Sequence, residues 1–328
     1  MLDKSLKSIL PLLDSGDHYG AHQRTRTAAA RLSRNGIQGQ YTAIELLFIV
    51  SKSLLEKSQW ASGVDVSIMM IDAMAKLEAP WEPTHKAHVT QLIGLCTSQS
   101  TWRKKLIDAA ISSSAKSFNI PSGHPDILQY IGNLYYKESS FNVAEHYLML
   151  ASKKESATIL AKMYMQWALS NNQYHDDVGR FALRGVLGFI LAEQVECAIT
   201  FTLNFLIELQ LSHPNTILES QPLDGITLTQ SHTLNFAQLI IACIQRSGTS
   251  NIAQEWKSLV DYYRNSSSIV NTQPVTQACA KIGSLYFDIK PMQSSGNMMD
   301  IMSSLLGGAP AQSISKRKLA NTSVGELD

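Results

Sequence analysis

Apolar residues recur every three or four positions along most of the chain, a spacing that places them on one face of an α-helix. The clearest example is residues 122–168, where polar breaks at 138–140 and 153–155 separate three such runs. A pair of helices of this kind cannot bury both its faces alone. The pattern therefore predicts a helical array in which each pair has neighbours on both sides.

The same period predicts helices on either side of the central stretch, at 2–13, 17–34, 41–56, 64–77, 85–96 and 102–117 before it, and at 176–191, 195–211, 234–245, 252–263 and 275–287 after it. Ala144, three residues after an aromatic residue, is typical of tetratricopeptide-type hairpins, because a small side chain lets neighbouring helices approach closely. We expect an all-α fold, a right-handed α-solenoid of tetratricopeptide-like helical hairpins.

Residues 217–231 break the helical period. Asp224-Gly225 lies between two short runs that alternate apolar and polar residues, which is a strong hairpin signal. We expect one small β-hairpin inserted here between helices. A two-stranded ribbon is marginal unless it packs on something, and four apolar residues indicate that this one does: Leu218, Leu223, Ile226 and Leu228.

Composition narrows the functional classes. The chain is 45% hydrophobic and 17% charged, with a net charge of +1, which argues against nucleic-acid binding as its main function.

Charged and polar residues interrupt the most apolar segments, 181–192 and 198–211, so we expect no membrane insertion. The four cysteines are dispersed, as expected for reduced, packed thiols in a cytosolic protein. Residues 291–328 are expected to form a mostly disordered tail.

Catalytic and metal-binding motifs are missing from the sequence. His85 and His88 share a helical spacing, but no carboxylate or thiol stands beside them at ligand spacing. No phosphate-binding loop or nucleophile elbow occurs. We therefore expect no enzyme activity, no cofactor and no metal.

One predicted helix, residues 17–34, carries a strongly basic strip. Arg24, Arg31 and Arg34 lie close together on a helical wheel, with Arg26 set apart and Tyr19 near the start. Aromatic and arginine residues are favoured anchors at protein interfaces. An interface and a solvated helix face both fit this strip.

Three stretches carry a family resemblance: residues 19–23 (YGAHQ), 123–125 (GHP) with 144–147 (AEHY), and 282–287 (IGSLYF) through 291–293 (PMQ) to 305–308 (LLGG). In these, and over about residues 5–308, the chain resembles the α-solenoid adaptor subunit of the pathway for guided entry of tail-anchored proteins into the endoplasmic reticulum.

The resemblance implies a non-enzymatic bridge. It implies that residues 1–150 bind a dimeric targeting ATPase in its nucleotide-bound, closed form. It implies that residues 151–290, with the hairpin at 217–231, bind the N-terminal segment of a ubiquitin-like-domain protein. That protein in turn recruits a tetratricopeptide co-chaperone that carries the client. A generic tetratricopeptide-like peptide receptor, or a lid-type scaffold subunit, is the alternative, although the sequence holds no dense Lys and Asn clamp for a peptide carboxylate.

Carried onto this sequence, the resemblance implies two sets of contact residues. The expected ATPase contacts are Tyr19, His22, Arg24, Arg26, Arg31, Arg34, Asp65 and Asp72, with Glu78 beside them. The expected contacts to the ubiquitin-like partner are Leu218, Leu223, Ile226, Leu228, Phe236 and Leu239. The chain departs from the family pattern at Gly20, where the family has an acidic residue, and at 288–290 before Pro291.

Overall fold

The computed structural model describes residues 1–77, 79–97, 101–170, 178–218 and 225–290. These residues form fourteen α-helices and one short 3-10 helix, Pro214–Thr216, so the predicted all-α class is confirmed. The helices are α1 Leu2–Asp14, α2 His18–Leu32, α3 Gly36–Glu56, α4 Trp60–Ala75, α5 Pro83–Leu95, α6 Thr101–Phe118, α7 Pro125–Lys137, α8 Phe141–Ala151, α9 Lys154–Ser170, α10 Gly179–Leu191, α11 Val195–Ser212, α12 His232–Gln245, α13 Ile252–Ser266 and α14 Gln273–Tyr286. The tail expected at 291–328 lies outside the described residues.

Four helix pairs are joined by the same three-residue turn: α1–α2, α3–α4, α7–α8 and α10–α11. The central residue of each turn has a positive φ, and these residues are Gly16, Ser58, Ser139 and Glu193. In the α7–α8 turn, the N–H of Ser140 donates to the carbonyl of Tyr135 at 2.9 Å. This left-handed cap closes one helix and reverses the chain, which makes each pair a helical hairpin.

A small buried residue follows each of these turns, five positions after its left-handed residue. The four are Ala21, Gly63, Ala144 and Ala198. A Cβ added to Gly63 would lie only 2.7 Å from the Leu55 side chain. Small residues at this position let the two helices of a hairpin pack closely, as a tetratricopeptide-like unit requires.

The odd-numbered helices from α1 to α11 form a row in which each packs on the next. Ion pairs join the N-terminal ends of the later members. Lys86 of α5 and Lys153, just before α9, each contact Asp126 of α7 at 2.8 Å, and Lys154 of α9 contacts Glu196 of α11 at 2.9 Å. These helices therefore start at one edge of the row, the stacking expected in an α-solenoid. Its right-handed sense stays a prediction.

The core of this row holds one buried ionic network. Glu145 of α8 is 1% exposed, and both its carboxylate oxygens accept from Arg184 of α10 at 2.6 Å. Tyr164 of α9 donates to the same carboxylate. The Arg184 guanidinium lies 5.5 Å from the centre of the Trp167 ring. A buried charge is tolerated only with such partners, so this network ties three helices together.

The β-hairpin expected at 217–231 is not supported. The described part of this segment contains no strand, although Ile217 and Thr229 form an antiparallel bridge. The N–H of Leu218 donates to the carbonyl of Leu228 at 3.0 Å. Gly225 has the positive φ expected of a turn, at 81°. Residues 219–224, which include Leu223 and Asp224, lie outside the described residues.

Side chains of α12 hold the outer edge of the returning segment. The Gln238 amide accepts from the N–H of Thr227 at 2.9 Å and donates to its carbonyl at 2.8 Å. The Asn235 amide makes the same two hydrogen bonds to Thr229, at 3.0 and 2.9 Å. The inner edge pairs with residues 216–218, since the N–H of Gln230 donates to the carbonyl of Thr216 at 2.9 Å. The main-chain groups on both edges are therefore satisfied, those on the outer edge by a helix.

The chain divides into two units, Met1–Ala242 and Cys243–Asp328. In the second unit, the rings of Trp256 and Phe287 are 5.1 Å apart. Val275 and Ile282 of α14 are buried there. Gly283 lies close to Trp256, whose Nε1 would be 3.2 Å from an added Cβ.

The cysteines behave as packed, separate thiols. All four are free, and Cys96, Cys197 and Cys279 are buried. Burial raises the pKa of the Cys279 thiol to about 12 and that of Cys96 to about 11. Both therefore stay protonated near neutral pH, where a thiol is a poor nucleophile.

One helix among the described residues, α11, has the length and apolar composition that a bilayer span would need. Core helices of ordinary proteins meet the same criterion. In α11, Phe201, Phe205 and Leu209 are buried against the rest of the first unit.

Candidate binding surfaces

The basic strip predicted on the second helix is exposed in the structure. The side chain of Asp17 caps α2 by accepting from the N–H of Gly20 at 2.8 Å. Two residues later, Tyr19 is 73% exposed. Arg31 and Arg34 are also exposed, and among the described residues neither has an ion-pair partner. Arg34 lies in the turn after α2. The helix and this turn therefore offer two uncompensated positive charges and one exposed ring.

Helix α1 enlarges the basic strip into a groove. Lys4 and Ser8 of α1 and Arg24 and Arg31 of α2 line a cavity of about 720 Å³. Arg24 donates to the main-chain carbonyl of Ser8 at 3.2 Å, which holds it against α1. Lys4 was not among the residues predicted from the sequence. The sequence pattern could have indicated it, because Lys4 lies opposite the buried Ile9 and Leu13 on a helical wheel. This spacing places the lysine on the polar face of an amphipathic helix.

The predicted acidic residues of α4 divide between two environments. Asp65 accepts from His22 of α2 at 2.7 Å and lies 3.7 Å from Arg26. His22 is buried, so this pair belongs to the contact between α2 and α4. Asp72 is exposed, and among the described residues it has no ion-pair partner. Glu78 lies outside the described residues.

The second candidate surface surrounds the segment at 225–230. Leu218 is exposed, and Ile226, Leu228 and Leu239 are half-buried, so each can contribute apolar surface to a partner. Phe236 is 0% exposed and belongs to the core. Leu223 lies outside the described residues.

Sequence analysis also missed an apolar stripe on α11. Leu203, Ile207 and Leu211 follow one another at four-residue intervals and are 56%, 54% and 76% exposed. The stripe runs towards the C-terminal end of α11, which leads into Leu218. Their four-residue spacing is visible in the sequence.

Neither surface has the chemistry of an active site. Among the described residues, no three His, Cys, Asp or Glu side chains converge as metal ligands would. The groove presents cations, and the second surface presents aliphatic side chains. Both arrangements suit contacts between proteins.

Comparison with known proteins agrees with the sequence resemblance. The family model described as Golgi to ER traffic protein 4 matches residues 38–306. Golgi to ER traffic protein 4 of Aspergillus fumigatus is 28% identical over 96% of this chain and 93% of its own length. The protein of the same name in Schizosaccharomyces pombe is 28% identical over 90% and 93%. The human homolog is 23% identical over 90% and 84%.

The fold matches a solved structure. The crystal structure of C. therm. Get4 superposes with a TM-score of 0.80 at 24% sequence identity. The match covers 98% of this chain and 99% of that chain.

Proposed function

We propose that this chain, which belongs to the Golgi to ER traffic protein 4 family, is a non-enzymatic cytosolic adaptor in the delivery of tail-anchored proteins to the endoplasmic reticulum. It bridges a targeting ATPase to a ubiquitin-like-domain protein, which brings a tetratricopeptide co-chaperone and its client. The observation that carries the proposal is that the first unit has two surfaces of unlike chemistry, the basic groove of α1 and α2 and the apolar surface around 225–230.

The ATPase-binding role rests on the uncompensated charge of α2. Arg31 and Arg34 attract an acidic surface, and Tyr19 supplies a ring that a partner can bury. The contact between His22 and Asp65 fixes α2 against α4. Asp72, exposed on α4, is then available for a basic group of the ATPase and is our candidate for a contact that affects hydrolysis.

The role in binding the ubiquitin-like partner rests on apolar side chains held on a fixed backbone. Two amides of α12 hold the main chain at Thr227 and Thr229, and Ile226 and Leu228 alternate with these two residues. A partner that covers them loses little conformational freedom in this segment, which favours affinity. With both surfaces occupied, the adaptor raises the local concentration of client near the ATPase.

The test of the basic groove is the double variant Arg31→Glu/Arg34→Glu. Reversing two exposed charges should weaken ATPase binding at low salt by about tenfold or more, measured by surface plasmon resonance. The matched control is Lys162→Glu/Arg180→Glu, which changes net charge equally at exposed positions on α9 and α10. Equal loss in both variants would mean that only net charge matters and that α2 is not the docking face.

Surface plasmon resonance also tests the second surface, with a variant that should have the complementary effect. Ile226→Asp/Leu228→Asp should lose the ubiquitin-like partner and keep the ATPase, whereas the arginine variant should do the reverse. Val143→Asp, at an exposed apolar position of α8, is the control. Retained co-purification of the ubiquitin-like partner with the Ile226 and Leu228 variant would transfer that contact to another surface.

A further inference from the structure

A cavity of about 480 Å³ lies between α3 and the start of α5. Tyr41 and Glu45 line it from α3, one turn apart. Glu82, the residue that caps α5, and the α5 residues His85 and His88 line it from the other element. Met1 and Leu2 also line the cavity, and Met1 lines the basic groove as well, but the α2 arginines do not line the cavity.

The cavity carries negative charge that the protein does not neutralise. Among the described residues, neither Glu45 nor Glu82 has a lysine or arginine within ion-pair distance. Lys86, the nearest base along the chain, contacts Asp126 at 2.8 Å. Burial lowers the pKa of His85 and His88, so both rings are neutral near pH 7 and leave the charge of the carboxylates in place.

The walls of the cavity are held in position by contacts within the protein. Tyr41 Oη donates to Glu82 Oε1 at 3.1 Å, and the Tyr41 ring stacks on His85 with an angle of 16° between the planes. His85 Nδ1 accepts from the Glu82 N–H at 3.2 Å. The His88 ring stacks on Phe48 with its centroid 3.7 Å away. The carboxylate of Glu82 and both imidazoles therefore have fixed positions.

One buried atom of this wall lacks a partner. His88 Nδ1 is inaccessible to solvent and makes no hydrogen bond among the described residues. An unpaired buried polar atom is costly. That nitrogen is closed to the cavity. A ligand that carries positive charge and donates several hydrogen bonds would instead satisfy the two carboxylates.

We propose that this cavity binds the guanidinium of an arginine side chain from a protein partner. A guanidinium has five N–H donors in one plane, suits carboxylates, and stacks on an aromatic face such as that of Tyr41. Gln38, Thr42 and Thr84 also line the cavity and can hydrogen-bond the peptide on either side of the arginine. The first unit thus has an acidic docking point in addition to its basic groove, beyond the two contacts of the proposed function.

Histidine ring signals of the full-length chain provide the test. NMR of the chain with 13C-labelled histidine follows these signals. Titration with N-acetyl-arginine N-methylamide should shift the signals of His85 and His88 in a saturable way. The citrulline analogue, neutral but of the same shape, should leave them unchanged. The variant Glu45→Gln/Glu82→Gln should weaken binding by about tenfold or more, since it keeps the shape and removes both charges. Glu56→Gln, on the exposed end of α3, should bind as the unchanged chain does.

Three results would overturn the proposal. Equal shifts with the citrulline analogue would show that charge is not recognised, and this comparison needs no variant to fold. Unchanged arginine affinity in Glu45→Gln/Glu82→Gln would exclude the two carboxylates as its ligands. Agmatine carries the guanidinium without a peptide backbone and should bind more weakly; equal or tighter binding would assign the cavity to a small metabolite instead.

Discussion

Asp126, at the start of α7, lies between two lysines that come from neighbouring helices. Hydrogen bonds from Lys153 and Lys86 lower the pKa of this carboxyl from 3.8 to about 2. Because the folded state has the lower pKa, the stabilising contribution is complete above about pH 4 and is lost as the pH falls towards 2. The carboxylate is 47% exposed, so after solvent screening we expect a contribution of about 1 kcal/mol.

The corresponding prediction concerns Asp126→Asn. The melting temperature should fall relative to the unchanged chain at about pH 6, and the difference should shrink as the pH is lowered from about 4 to about 3. Differential scanning calorimetry measures both. Asp261→Asn, at an exposed position of α13, should show no such difference. A difference that stayed constant down to pH 3 would mean that Asp126 acts through something other than its charge.

Local residue chemistry was predictable where the partner is near in sequence. Asp17 caps α2 as its position before the helix indicates, through an N–H three residues away. The contact between His22 and Asp65 spans 43 positions, and no local pattern contains it. The family resemblance predicted both residues as contacts to a partner, but the contact between the two depends on how α2 packs against α4.

At the scale of elements, three of the four repeated turns place a residue other than glycine at the left-handed position, and Glu193 has the longest side chain of the three. Glu193 has φ of 60°, a conformation that is costly for a residue with a side chain and easy for glycine. Glu193→Gly should therefore raise the free energy of unfolding by about 0.5–1 kcal/mol, measured by urea denaturation. Glu193→Ala removes the same carboxylate without adding backbone freedom and should give no gain. If both variants behave alike, the turn is not strained.

The segment at 217–231 illustrates the limit of local signals for an element. Gly225 does take the turn conformation that the Asp-Gly pair indicates. On its outer edge, however, the returning side bonds to Gln238 and Asn235 of α12. The apolar period of α12 gave no sign that two of its amides would hold this segment. The helices themselves, from α1 to α14, were predictable because their apolar period is long and regular.

At the scale of the whole molecule, the two proposed interfaces should respond differently to salt. The contact through Arg31 and Arg34 is electrostatic, so ATPase affinity should fall steeply between about 0.05 M and 0.5 M NaCl, where the screening length drops from above 10 Å to a few ångströms. The apolar contact at 225–230 should change little. Isothermal titration calorimetry at a series of salt concentrations measures both. Matching salt slopes for the two partners would contradict the division of chemistry between the surfaces.

The amides of Asn235 and Gln238 bind main-chain atoms at Thr227 and Thr229, and the only side chain of the segment that they bind among the described residues is that of Thr229. Every residue other than proline has the same peptide N–H and C=O groups, so substitutions at Ile226 and Leu228 leave these hydrogen bonds in place. The exposed side chains of this segment can therefore change during evolution, as a partner diverges, while its backbone stays in the same position.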